Sequence, residues 1–214
     1  MSVTLSVATW NIHKGFSQFN RRMMVHELRE RLRELSADIV FLQEVQGLHL
    51  GHAERHADWP TLPQHEFLAA GVWSSHAYGR NMAYDHGHHG NAILSRHPIL
   101  HEHNQDVTHL RFEKRGLLHC AVAVPGLAQP LHCVCVHLSL FARSRRRQMD
   151  ALAARIEDAV QSLPANQRDA VTMSRLMGLS YAQIAEAMQM SESAVRGHVA
   201  RGLAALSSVL DGDE

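Results

Sequence analysis

The chain has 214 residues, with 21 Lys and Arg against 21 Asp and Glu, so its overall charge does not mark it as a polyanion binder. A hydrophobic fraction of 45% is that of an ordinary soluble globular protein, and the length allows one domain or two small ones. Three cysteines exclude a disulfide framework, and no apolar run is long enough to span a bilayer. No signal peptide precedes the first strand-like segment, and reduced, buried thiols fit a cytoplasmic protein.

In chain order, Leu5, Val7 and Thr9 alternate with Ser6 and Ala8 and lead into Trp10 and Asn11, which predicts a strand ending at a loop. Asn20 is placed to cap a helix whose apolar positions Met24, Leu28, Leu32 and Leu35 keep helical spacing. The continuous run Ile39-Val40-Phe41-Leu42 predicts a buried strand. Ala92 to Leu94, Leu117 to Val124 and Leu131 to Leu138 read as further strands, the last placing Cys133 and Cys135 on one face. Strands mixed with a few helices predict a layered α/β domain.

From Ser144 onward the pattern is helical only. Met149, Leu152, Ile156, Val160 and Leu163 hold one apolar stripe, so a single helix carries the chain from the first part into the next. Pro164 breaks that helix or starts another, which contains Val171 and Leu176 and stops at Gly178. Ser180 and Gln183 form a capping-box pattern for a helix with Ile184 and Met188 inward. Ser191 caps the last helix, with Val195, Val199, Leu203 and Leu206 inward. Seventeen of the 18 histidines lie at or before His137, an asymmetry that also marks a boundary. The expected division is residues 1–155, residues 156–210 and a short acidic tail, 211–214.

Three short motifs in the first part carry chemistry. Thr9-Trp10-Asn11-Ile12 places an amide at a strand end, Leu42-Gln43-Glu44-Val45 a carboxylate, and Val136-His137-Leu138 an imidazole. Strand ends at one rim of a sheet let such side chains converge. A carboxylate oxygen suits Mg2+, a hard cation that keeps several waters and offsets charge on a phosphoryl oxygen.

The runs Trp10-Asn11-Ile12-His13-Lys14-Gly15, Asp38 to Val45, His88 to Arg96 and Cys135-Val136-His137-Leu138 resemble the endonuclease/exonuclease/phosphatase superfamily. Ala77 to Asn81 and Lys114 to Leu118 are similar to one bacterial branch of it. The resemblance covers roughly the first 155 residues. It implies Mg2+ held by Glu44, with Asn11 helping to hold the metal or the phosphate, contact of His137 with the scissile phosphate, and support of the site by Asn91. It also implies a two-sheet α/β sandwich, of which this chain encodes an incomplete half. The Gly-Asp-Phe-Asn and Ser-Asp-His motifs of that superfamily do not occur in the sequence. Loss of groups that act as a unit removes orders of magnitude in rate. An uncovered inner sheet face and edge are expected, with self-association through them.

Two further clusters have plainer readings. His86-Gly87-His88-His89 lacks the spacing of a zinc site. Arg143, Arg145, Arg146 and Arg147 fit phosphate or nucleic acid, but a solvated helix face is the commoner source of such a run.

In the second part, a short turn around Met190 joins two helices, so that the second can enter a major groove while the first braces it. Ser193, Arg196, Gly197 and Arg201 lie off the inward stripe and are the candidate DNA-binding residues. Leu163 to Arg168, Gly178 to Ala185, Ser191 to Arg196 and Arg201 to Leu206 resemble the fourth conserved region of bacterial sigma factors, especially the short extracytoplasmic-function type. That resemblance implies promoter −35 recognition, with DNA and RNA polymerase as partners in transcription initiation. The output domain of LuxR-type regulators shares the helix pair and is a second choice, and a plain helical bundle uses the same spacing.

Three readings follow. The first, which is favoured, is a fusion of an incomplete, inactive Mg2+-dependent phosphodiesterase-like half with a sigma-like DNA-binding module. The second is a metal-dependent hydrolase of phosphodiester bonds that obtains its missing groups from a partner. The third is a truncated or misjoined reading frame without selected function.

Overall fold

The computed structural model describes residues 3–17, 19, 21–110, 113–127 and 129–211, and only the backbone of 53, 155, 210 and 211. The chain divides into two compact units, Met1–Gln148 and Met149–Glu214.

The first unit contains two sheets. The strands β1 (Val7–Asn11), β2 (Ile39–His49), β3 (Ser75–Tyr84) and β4 (Gly87–Ser95) form a sheet of order β1-β2-β4-β3. Only β1 and β2 run parallel, and a connection containing helix α1 (Val25–Leu35) joins them. The strands β5 (Ile99–Asp106), β6 (Gly116–Val122) and β7 (Leu131–Val136) form an antiparallel second sheet in that order.

The inner faces of the sheets pack on each other. Ile39, Ala77 and Ile93 from the first meet Leu118, Cys120, Val122, Cys133 and Cys135 from the second. This corrects the expectation of a bare inner face: the strands from Ile99 onward cover it. Among the described residues, β1 and β3 end the first sheet and β5 and β7 the second, each paired on one side only. Burial holds all three thiols in the protonated form, with Cys133 pushed up to about 11.

The other face of the first sheet packs under α1 and the short α3 (Gln64–Ala69), through Val25, Leu28, Leu32, Leu68 and Trp73. Leu35, expected inward, is exposed, because α1 ends there and Ser36 turns into a left-handed conformation. Met24 occupies the N-cap position of α1, and Asn20 lies outside the described residues. A further short helix, α2 (Leu50–Arg55), follows β2.

Helix α4 (Ala142–Gln161) runs on from the first unit, as its apolar stripe predicts. Two members of that stripe, Met149 and Ile156, are nevertheless each 47% exposed, while Leu163 is buried. Pro164 sits at the N-cap of α5 (Ala165–Val171), which continues as a wider π turn over Thr172–Leu176. Leu176 is therefore outside the α-helix expected to hold it, and it is 72% exposed. Gly178, with φ +69, makes the stop. The remaining helices are α6 (Tyr181–Ala187) and α7 (Glu192–Asp211). Their small core is Ala170, Ile184, Ala185, Val195 and Val199. Residues 212–214 of the acidic tail lie outside the described residues. No described helix is long and apolar enough to cross a membrane.

Candidate functional site

Glu44 owes its position to a bulge. In the pairing of β2 with β4, Leu42 stands opposite Ala92 and Val45 opposite Gly90, so Gln43 and Glu44 together oppose Asn91. The extra residue forces Glu44 into a left-handed backbone, φ 54, and re-aims its side chain. Such a conformation is costly for a residue with a Cβ and occurs mainly where function holds it.

Around the Glu44 carboxylate the three motifs converge. Asn11 Nδ2 donates to Glu44 Oε1 at 3.2 Å, and Asn11 Oδ1 accepts the backbone N–H of His13 at 3.0 Å. His13 Nδ1 stands 3.6 Å from Glu44 Oε2, and His137 Nε2 stands 3.8 Å from Oε1. Burial opposes ionisation of Glu44, but the Asn11 amide and the fields of His137, His13 and Lys14 outweigh it and hold its pKa below the ordinary value. Burial, reinforced by Arg115, keeps the His137 pKa low against the pull of Glu44 and Glu113, so its imidazole is neutral at pH 7.

Asn91 is 1% exposed and does not point at the carboxylate as a donor. Its Nδ2 donates to the carbonyls of Gly116, at 3.0 Å, and Cys135, at 3.3 Å. It thereby ties β4 to β6 and β7 of the second sheet just before the segment that carries His137. Its Oδ1 is buried without a hydrogen-bond partner among the described residues.

Among the described residues, no group of three or more His, Cys, Asp or Glu is placed to hold a metal ion. The Glu44 carboxylate offers oxygens of the kind Mg2+ takes, whereas Asn11 turns its Nδ2 to Glu44 and its Oδ1 to the His13 N–H, so Asn11 would join the carboxylate at a metal only with its amide turned over.

In the second unit, Ser180 and Gln183 form the reciprocal capping box at the start of α6. Ser191 Oγ accepts the N–H of Ala194 at 3.2 Å and caps α7. Val195 and Val199 are buried, while Ser193, Arg196 and Arg201 are exposed on the other side of α7 with Gly197 between them. Arg196 lies over the Tyr181 ring, 5.0 Å from its centre, and 3.6 Å from Glu192. The α7 backbone approaches α5 at Gly202, where a Cβ would stand 2.7 Å from Val171 Cγ2.

Comparison with known proteins fits this arrangement. Residues 8–165 match the Endonuclease/Exonuclease/phosphatase family. The chain belongs to that family. An uncharacterized protein of Escherichia coli strain K12, YbhP, is 47% identical over 161 residues, which are 75% of this chain and 64% of the relative. The chain thus spans less than two thirds of the length of the curated relatives it matches. Two solved members of the endonuclease/exonuclease/phosphatase family share the fold of the first unit. The Beutenbergia cavernae protein has a TM-score of 0.53 at 21% identity, covering 76% of this chain and 45% of that one. The Leptotrichia buccalis protein has a TM-score of 0.51 at 15% identity, covering 71% and 63%. Residues 153–206 match a second family, Sigma-70, region 4, so this chain joins that domain to the first.

The structure adds residues around Glu44 that motif reading passes over. His89, opposite Gln46, feels the fields of Lys14, Glu44, Arg115 and His137. Burial above all drives its pKa down to about 4, and its Nδ1 is buried without a hydrogen-bond partner among the described residues. Arg115 is held by Glu113 at 2.8 Å, and Glu113 also accepts from the Ser139 hydroxyl and the Leu140 N–H. Both His89 and Arg115 stand inside runs that carry the family resemblance, and His13 follows Asn11 by two residues. Their place in those runs marks them as candidates, while the folded register sets His89 near Glu44.

Proposed function

We propose that this chain is a DNA-binding protein of transcription initiation, in which the sigma-like second unit reads duplex DNA and meets RNA polymerase in the cytoplasm. The observation that carries the reading is the α7 face. Ser193, Arg196, Gly197 and Arg201 face away from the buried stripe, on a capped helix braced by α6. Arg196 and Arg201 have weak protein partners, an exposed Glu192 and His198 at 3.4 Å, that phosphate or guanine can replace. The test is a fluorescence titration of the full chain with duplex DNA at several salt concentrations. Affinity should fall steeply with salt, and Arg196→Ala with Arg201→Ala should weaken it at least tenfold, within the range of about 1–3 kcal/mol for a bidentate contact. No binding at low salt would overturn the reading.

In this reading the first unit holds a phosphate-binding relic that does not turn over. Its sequence lacks the acid that aligns the water and the terminal imidazole expected from the resemblance. The convergence of Asn11, Glu44 and His137 favours a second reading, hydrolysis of phosphodiester bonds with groups supplied by another chain. Mg2+ would be held by Glu44 with Asn11 and would neutralise phosphate charge. Neutral His137 would donate one hydrogen bond to a phosphate oxygen, while Asn91 would fix the strand that carries it. Turnover of a chromogenic phosphodiester by the purified chain with Mg2+, lost in Glu44→Ala, would replace the first reading by the second.

A further inference from the structure

The arginine run at the start of α4 is not part of the Glu44 cluster, and it borders an open groove of about 480 Å³. Among the described residues its lining is His109, Leu110, Phe141, Arg143, Ser144 and Arg147, none of them a carboxylate. Leu110 and Phe141 form apolar walls, and Phe141 is 54% exposed. Arg147 Nη1 lies within hydrogen-bonding distance of the His109 ring, which holds its guanidinium at the rim of the groove. Arg143 adds a second exposed guanidinium. Apolar walls beneath two guanidinium groups match a nucleobase joined to a phosphate.

The groove is anchored to the candidate site. Phe141 follows His137 by four residues, which span at most about 14 Å. Between them, Ser139 and Leu140 are fixed by Glu113, the residue that also pairs with Arg115 and lies in the field of His137. A strand with one phosphate near Glu44 and His137 could therefore lay a neighbouring nucleotide in the groove.

We infer that this groove binds a segment of single-stranded nucleic acid, with base against Leu110 and Phe141 and phosphates on Arg143 and Arg147. This binding is separate from duplex recognition by α7 and needs no turnover.

The experiment uses the full chain and two labelled probes, an oligodeoxythymidine and a duplex. Arg143→Glu with Arg147→Glu should weaken the single strand on the order of tenfold or more and lower its salt slope by about 1.4. Duplex affinity should hold. Arg196→Ala with Arg201→Ala should do the reverse. Arg143→Lys with Arg147→Lys keeps the charge and should retain most single-strand affinity, and thermal melting checks that each variant is folded. Unchanged single-strand binding in the Glu variant, or equal loss on both probes, would overturn the proposal. Displacement of the oligonucleotide by polyglutamate as effectively as by unlabelled oligodeoxythymidine would also overturn it, in favour of an acidic protein partner.

Discussion

Asn11 donates its amide to Glu44 across 3.2 Å, and Glu44 receives it from a backbone in the left-handed region. The hydrogen bond lowers the energy of the carboxylate while the conformation raises that of the chain. Two substitutions separate the terms. In an ordinary strand Gly is less stable than Ala by roughly 0.5–1 kcal/mol. At φ 54 that order should reverse, because a Cβ is strained there and Gly is not. Urea unfolding should find Glu44→Gly more stable than Glu44→Ala by about 1 kcal/mol. The ordinary order would mean that the bulge relaxes once the carboxylate is gone.

His65 makes stability depend on pH. It is buried against the Tyr78 ring, with centres 4.6 Å apart and planes 8° apart. Burial first, then the fields of His76 and His88, push its pKa from 6.5 down to about 4. The folded state therefore favours the neutral ring. Its contribution is fully present above pH 6.5 and is lost as pH falls toward about 4, because the unfolded chain takes up the proton first. That gap corresponds to at most about 3 kcal/mol. Replacing His65 by Phe keeps a ring against Tyr78 and removes the titration. Its urea midpoint should fall less between pH 7 and pH 4.5 than that of the parent chain, and parallel falls would assign the acid sensitivity to other groups such as His52 and His89.

Elements with a strong apolar period were legible in the sequence, and those held by pairing were not. Ile39 to Leu42 announces the start of β2, but Gln43, Glu44 and Gln46 hide its continuation to His49. Strands β3 and β5, with sequences SHAYGRNMAY and ILHEHNQD, are too polar to show alternation, and they are ordered by neighbours in the sheet. Helices α2 and α3 have six residues each, too few for a periodic signal. The convergence of Asn11, Glu44 and His137 could be read from motif order. The place of His89 could not, since it depends on a bulged register that sets His89 against Gln46.

Asn91 should act on the site through structure. Its amide satisfies two carbonyls of the second sheet in a buried setting. Asn91→Asp keeps the shape, offers no N–H when ionised, and buries a charge without a partner. Each unsatisfied carbonyl costs about 1–3 kcal/mol, and the charge adds more. Asn91→Asp should lower the denaturation midpoint of the first unit more than Asn91→Ala, which removes the donors without adding charge. A smaller loss for Asp would imply that it is protonated and still donates.

Two glycines on α7 should respond to alanine with opposite signs. In a helix the change gains about 1 kcal/mol from propensity. At Gly202 the new Cβ would stand 2.7 Å from Val171 Cγ2 and 3.3 Å from the Gln167 carbonyl oxygen. Val171 is buried and stiff at χ1, and the carbonyl belongs to α5, so neither yields easily. Overpacking of this kind costs about 1–3 kcal/mol and outweighs the propensity gain. At Gly197 the nearest atom is the Arg201 Nη1 at 3.2 Å, the end of an exposed, flexible side chain. Gly197→Ala should therefore raise the melting temperature of the second unit, while Gly202→Ala lowers it. Gly197 also sits on the proposed DNA face, so the stabilised variant should bind duplex DNA less tightly if the helix backbone approaches the groove there. Unchanged affinity in that stable variant would remove Gly197 from the interface and leave recognition to Ser193, Arg196 and Arg201.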